Sequence, residues 1–211
     1  MQRREFSRAL IGAATLGPLG SGLVMAQVPG LKEGTDYRKV SPTAPVDTPA
    51  GQVEVVEFFA YTCVHCFNFE PLLKDWIKTK PANVVVRRVP VRFNAAFEPL
   101  QKLYFALEAM GKVDELHDKV FKAIHEERQR LNDFDAIAAW VAKQGVDKAK
   151  FTEVFNSFGV VGKAKRATQL QDAYQVEGTP ALGVAGRFYI PGQGPRTLTI
   201  ANALIAEARK G

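Results

Sequence analysis

The chain has 211 residues, 46% hydrophobic and 24% charged, the balance of an ordinary folded protein and not of a disordered or fibrous one. Its formal net charge of +6 is not gathered into a basic run interleaved with aromatics, which favours solubility and weak attraction to acidic partners and argues against nucleic-acid binding. Without its leader, a chain of roughly 185 residues would bury about 70% of its unfolded surface, so two cysteines are not needed as a structural framework.

Residues 1–26 read as an address. Met1 to Arg8 is a basic region, Ala9 to Met25 is weakly apolar, and Val24-Met25-Ala26 supplies small or tolerated residues before a cut at Gln27. The order Arg3-Arg4-Glu5-Phe6-Ser7-Arg8 resembles the twin-arginine export pattern. A span of about 17 residues interrupted by Pro18 and several glycines is short for a membrane anchor. The expectation is a cleaved signal and a folded part in the periplasm, where disulfides persist.

Gln27 to Gly51 contains four prolines and reads as an extended lead-in with one short strand near Tyr37 to Val40. Val53 to Phe59 and Val84 to Val91 are β-branched and aromatic runs, hence strands. Between them Phe67, Leu72, Leu73, Trp76 and Ile77 recur at helical spacing, which makes a β-α-β unit with parallel strands and a helix beginning at or just before Cys63.

A helical block follows. Leu100, Leu103, Tyr104 and Leu107 form one apolar stripe and Val113, Leu116, Val120 and Ile124 another. A third helix runs from Asp133 as cap to Gly145 as stop, a fourth from near Asp147 to before Gly159, and a fifth from about Val160 to Tyr174. Strand signals return at Ala181 to Val184 and Arg187 to Ile190, joined by Ala185-Gly186 in a hairpin, and Thr199 to Arg209 closes the chain as a helix. The order β-α-β, helices, β-β-α is an α/β thioredoxin fold with an inserted helical domain. Its parts are a signal over 1–26, a thioredoxin-like domain over 27–95 and 176–211, and the insertion over 96–175.

Cys63-Val64-His65-Cys66 follows a buried strand and opens a helix, the setting in which a Cys-x-x-Cys pair reads as redox-active. Free N–H groups and the positive end of the helix dipole favour Cys63 as thiolate. Cys63 is then the exposed nucleophile, Cys66 the buried partner that resolves a mixed disulfide, and His65 a donor of a hydrogen bond or a positive charge to the Cys63 sulfur. Zinc would need further ligands, and only His65, His117 and His125 remain, none in a paired spacing. Covalent haem needs His after the second cysteine, where Phe67 stands. A purely structural disulfide closing so short a loop would gain little. His117 and His125 lie in a charged helix and read as surface residues. No metal or other cofactor is expected.

The segment Glu57-Phe58-Phe59-Ala60-Tyr61-Thr62-Cys63-Val64-His65-Cys66-Phe67-Asn68-Phe69-Glu70 is similar to the active-site segment of the DsbA family, and the resemblance extends over about residues 31–209. It implies that Thr179-Pro180 is the family's cis-proline loop, lying against the cysteines and offering a backbone edge to bound peptide. It also implies that Glu57 and Arg88 are the buried acidic and basic residues under the disulfide, with arginine in place of the more familiar lysine. The alternative for that pair is an ion pair that merely satisfies itself. Val64 stands where well-known members carry proline and Thr179 where they carry valine, positions that tune the strength of the oxidant.

The implied activity is donation of the Cys63–Cys66 disulfide to reduced unfolded secretory proteins, with re-oxidation by a DsbB-like membrane oxidase and no nucleic acid among the partners. A monomer is expected. The alternative is a disulfide isomerase or reductase kept reduced, but residues 27–51 are too short for the dimerisation domain such isomerases carry. A peptide-binding surface is expected where the Pro180 loop, the active-site helix and the insertion meet.

Overall fold

The run Val53–Phe59 forms strand β2, after the two-residue strand β1 (Arg38–Lys39), and all seven of its residues are buried, as befits a central strand covered on both faces. These observations come from a computed structural model that describes residues 28–210; the signal read over residues 1–26 lies outside them. Helix α1 (Val64–Thr79) carries the chain over to strand β3 (Val84–Pro90), which pairs with β2 in parallel and sets Glu57 opposite Arg88. Strands β4 (Ala181–Val184) and β5 (Phe188–Pro191) form the expected hairpin, and β4 pairs antiparallel with β2. Its turn places both Ala185 (φ 53°) and Gly186 (φ 69°) in the left-handed region, the geometry that matches the twist of the flanking strands. The sheet order is β1-β5-β4-β2-β3.

Between β3 and β4 the chain makes five helices: α2 (Glu98–Ala109), α3 (Val113–His125), α4 (Phe134–Lys143), α5 (Lys148–Phe155) and α6 (Phe158–Ala173); α7 (Arg196–Ala208) ends the fold. Local chemistry sets their limits. The Asp133 carboxylate accepts from Ala136 N–H at 2.9 Å and that of Asp147 from Lys150 N–H at 2.6 Å, satisfying donors that a helix start otherwise leaves free. Gly145, at φ 84°, terminates α4. Two helices begin earlier than their apolar residues suggest. Ser157 caps α6 by accepting from Val160 N–H, which starts the helix at Phe158, and Pro195, already in helical conformation, starts α7 at Arg196.

Residues alternate across β2 as the strand period requires. Val53 and Val55 pack with Phe69, Leu73 and Trp76 of α1 and with Ile200 and Leu204 of α7. Val56 and Phe58 instead join one core with residues of α2 to α6, including Leu103, Leu116, Ile137, Phe151 and Leu170. The sheet therefore serves both halves, and the architecture is a thioredoxin fold with helices inserted between β3 and β4. Among the described residues no helix is long and apolar enough to cross a membrane.

Candidate active site

Cys63 is the N-cap of α1, and its sulfur accepts from the Cys66 N–H at 3.4 Å. The sulfur thus occupies the place where a helix start offers unpaired donors. As a thiol, Cys63 donates to the Thr179 carbonyl at 3.3 Å. Both cysteines are free; Cys66 is fully buried and Cys63 partly so.

Their electrostatics differ accordingly. The hydrogen bond from the Cys66 thiol lowers the Cys63 thiol most; against the opposing effect of burial, the Thr179 side chain and the backbone N–H groups of Cys66 and His65 add to it, bringing Cys63 to about 5. Burial pushes the Cys66 thiol far up. His65 reaches the sulfur through its backbone N–H, while its ring is exposed and lines a groove beside the site. Val64 is 49% exposed next to Cys63.

The Thr179–Pro180 bond is cis, and this loop packs tightly on the chain after β5. A Cβ on Gly192 would lie 2.5 Å from the Pro180 carbonyl oxygen, closer than any side chain can come. Beside the loop opens a cavity of about 730 Å³ whose lining includes His65, Phe69 and Leu72 of the α1 side, Thr179 and Pro180, and Tyr189 of β5. Further lining comes from the lead-in, with Tyr37 and Arg38, and from the chain after β5, with Gly192 and Gly194, and no residue of α2 to α6 takes part. The expectation that the insertion would wall this groove is corrected: the extended lead-in before β1 occupies that side.

Beneath α1 lies a buried charge cluster. Arg88 Nε is 3.2 Å from Glu57 Oε2, and the same guanidinium pairs with Glu70 of α1. Burial, reinforced by the charge of Glu70, raises the Glu57 carboxyl to about 8 despite Arg88. Burial also works to raise Glu70, but His117 and Arg88 outweigh it and hold that carboxyl below its ordinary value. The two carboxyls that share Arg88 are thus displaced in opposite directions, Glu70 toward the charged form and Glu57 toward the neutral one.

The two histidines of α3 overturn the expectation of surface residues. His117 is 3% exposed, with Nε2 at 3.5 Å from Glu70 Oε2 and Nδ1 at 2.8 Å from the Tyr61 hydroxyl. His125 is partly buried, stacked on Phe67. The physical reason is that the apolar face of α3 is wider than the stripe of Leu116 and Val120. It includes Phe121, which lies four residues from each histidine and is buried in the core. Glu70 and His117 are thus site residues missed in the sequence. The available signal was the i, i+4, i+8 series His117, Phe121, His125. Among the described residues no group of three or more His, Cys, Asp or Glu side chains is placed to hold a metal.

A dithiol at a helix start facing a cis-proline loop, on this fold, defines a thioredoxin-fold thiol:disulfide oxidoreductase. The comparisons with known proteins agree. The model of the DSBA-like thioredoxin domain matches residues 54–201. Thiol:disulfide interchange protein DsbA of Bordetella pertussis (strain Tohama I) is 47% identical over 188 residues, 89% of this chain and 87% of the relative. The protein of the same name from Pseudomonas aeruginosa (strain PAO1) is 37% identical over 206 residues, 96% and 97% of the two chains. Among solved structures, the crystal structure of Pseudomonas aeruginosa DsbA superposes with a TM-score of 0.79 at 38% identity, covering 84% of this chain and 94% of that one. That of the oxidoreductase DsbA from Xylella fastidiosa gives 0.80 at 30% identity, covering 88% and 100%. The chain belongs to the DsbA family and is a thiol:disulfide oxidoreductase.

Proposed function

We propose that this chain is an exported oxidant that transfers the Cys63–Cys66 disulfide to reduced, unfolded secretory proteins, and that Cys63 is its exchanging sulfur. A substrate thiolate attacks Cys63 Sγ, the S–S bond breaks, and Cys66 leaves with the electron pair and takes up a proton. A second substrate thiolate then attacks its own sulfur in the mixed disulfide and expels Cys63 as thiolate. The substrate has lost two electrons and the protein holds two thiols.

The observation that carries this reading is the opposite displacement of the two thiols. A thiol of low pKa leaves readily, so Cys63 departs easily from the mixed disulfide. Buried and protonated, Cys66 is a poor attacker and seldom reverses the step. A reductase carries an outer thiol that is less depressed, nearer neutrality. Thr179 and Pro180 offer the backbone edge beside which an extended peptide lies, with the groove at Phe69, Leu72 and Tyr189 taking its side chains. Val64 and Thr179 border the reacting sulfur and tune it, and Glu57 and Arg88 support α1 from below.

The same reading makes residues 27–95 and 176–211 the catalytic domain and 96–175 the inserted one. It places the mature protein in the periplasm after removal of residues 1–26, as a monomer re-oxidised by a DsbB-like membrane oxidase. The test mixes the oxidised protein with an excess of a reduced two-cysteine peptide, without other oxidant, and follows peptide and protein by mass spectrometry. One peptide disulfide should form per protein reduced. A peptide that stays reduced while the protein keeps its disulfide would refute the donor reading.

A further inference from the structure

Helix α3 belongs to the insertion, yet both its histidines meet the segment that carries the cysteines. Tyr61 stands just before Thr62 and Cys63, and both its hydroxyl and its carbonyl are taken by α3. Its hydroxyl lies 2.8 Å from His117 Nδ1, and His125 Nε2 donates to its carbonyl at 2.8 Å. Each histidine also touches α1. His117 Nε2 faces Glu70, one turn beyond Cys66, and the His125 ring stacks on Phe67 at 5.2 Å between centroids and 13° between planes.

The protons follow from what each partner can do. A carboxylate only accepts, so His117 carries its proton on Nε2 toward Glu70, which leaves Nδ1 to accept from the Tyr61 hydroxyl. Glu70 Oε2 and His117 Nε2 face each other at 3.5 Å without closing a hydrogen bond, and among the described residues neither atom has a hydrogen-bond partner. The other titratable or charged groups around His117 are Arg88 from β3, Tyr104 from α2 and its neighbour Asp118. Burial keeps its ring below the ordinary histidine range although Glu70 pulls the other way, and the same tautomer serves the Tyr61 hydrogen bond and points the Nε2 proton at Glu70.

The Cys63 thiolate is held largely by directional groups: the Cys66 thiol, the Thr179 side chain and the N–H groups of Cys66 and His65. Such donors stabilise charge only while they stay aimed at the sulfur. A loop pinned at the hydroxyl and carbonyl of one residue, against a helix that also grips α1, keeps that aim. We propose that His117 and His125 are positioning residues, a clamp by which the helical insertion holds the Tyr61 loop and α1 in register and thereby sets the stability of the Cys63 thiolate. This rests on the reading of Cys63 as the exchanging sulfur.

The test uses His117→Leu, His125→Leu, the corresponding Gln variants, and Tyr61→Phe, which removes the hydroxyl contact alone and should not disturb folding. Two quantities are read: the Cys63 titration, from thiolate absorbance near 240 nm, and the equilibrium constant for reduction by glutathione. Each Leu variant and Tyr61→Phe should shift the equilibrium about fivefold toward the disulfide, the factor for one net hydrogen bond, and raise the Cys63 midpoint in step. His125→Gln, whose amide can still donate to the Tyr61 carbonyl, should recover most of the loss, and His117→Gln part of it. If the histidines served folding alone, thermal stability would fall equally in both redox forms while titration and equilibrium stayed at wild-type values, and that result overturns the proposal. An unchanged Tyr61→Phe would likewise remove His117 from the clamp. The titration needs no substrate, so failure of the wild type to oxidise a peptide, which would refute the exchange reading, is a separate result.

Discussion

Opening the disulfide creates a Cys63 thiolate that exists only in the reduced protein, so the stabilities of the two redox forms must diverge with pH. The folded thiol titrates at about 5 against an ordinary 9.0. A group whose folded pKa is depressed contributes stability that is complete above the unfolded value and is lost as pH falls through the folded one. The window here therefore runs from 9 down to about 5. Within it the reduced form can gain up to about 1.4 kcal/mol per pH unit. Cys63 is only partly buried, and solvent screening leaves roughly 2–3 kcal/mol over the whole window. Groups common to both forms cancel in the difference, and the loop constraint that the disulfide places on the unfolded chain has no pH dependence of its own. Cys66 acts with the opposite sign, since burial raises its thiol, but only above the ordinary value, so the comparison should stop near about pH 8.5. The assay is a series of urea titrations of both forms, oxygen excluded for the reduced one. The reduced-minus-oxidised difference should rise by about 2 kcal/mol from acid to the upper limit. A difference that stays flat or falls would show that the helix start does not stabilise a thiolate, and the poise assigned to this site would be wrong.

The division of roles within the pair predicts that Cys66→Ala, mixed with disulfide-bearing substrate proteins, accumulates mixed disulfides through Cys63 while Cys63→Ala accumulates almost none, as read on non-reducing gels. Arg88→Met should lower stability by about 3–5 kcal/mol in denaturant titrations, because it leaves two buried carboxyls without their cation. Arg88→Lys should recover only part of that, since one ammonium cannot span Glu57 and Glu70 as a guanidinium fork does. Gly192→Ala would bring a Cβ against the Pro180 carbonyl and displace the loop that carries Thr179; peptide oxidation should slow in stopped-flow measurements and the Cys63 titration should rise, and wild-type values of both would show that the site absorbs the displacement.

What was legible in the sequence is what acts within a turn or a strand of the chain. The period of the apolar residues located α2 and α3, start and stop residues such as Asp133, Gly145 and Asp147 located the helices after them, and a Cys-x-x-Cys pair after Val53–Phe59 put the sulfur at a helix N-terminus. Where local signals compete with a neighbour they misled by a few residues. Ser157 and Pro195 begin helices a few residues before Val160 and Thr199, because a side-chain cap in the first case and a proline already in helical conformation in the second, and not burial, set where the helix starts. The environment of the site was the less legible part, since it depends on how α3 and the lead-in dock. His117 meets Tyr61 across 56 positions of sequence, and Cys63 meets Thr179 across 116. A helical period defines which residues share a face, but a face with histidines among charged neighbours can point to solvent or to a carboxylate, and only the docking of α3 against α1 decides. The reactive group and its nearest stabilising groups, Cys66 and the His65 N–H, are thus encoded locally, while Thr179 and the support of the Tyr61 loop come from distant elements. Substitutions in the insertion can accordingly reset the poise of the pair without touching Val64 or His65 between the two sulfurs.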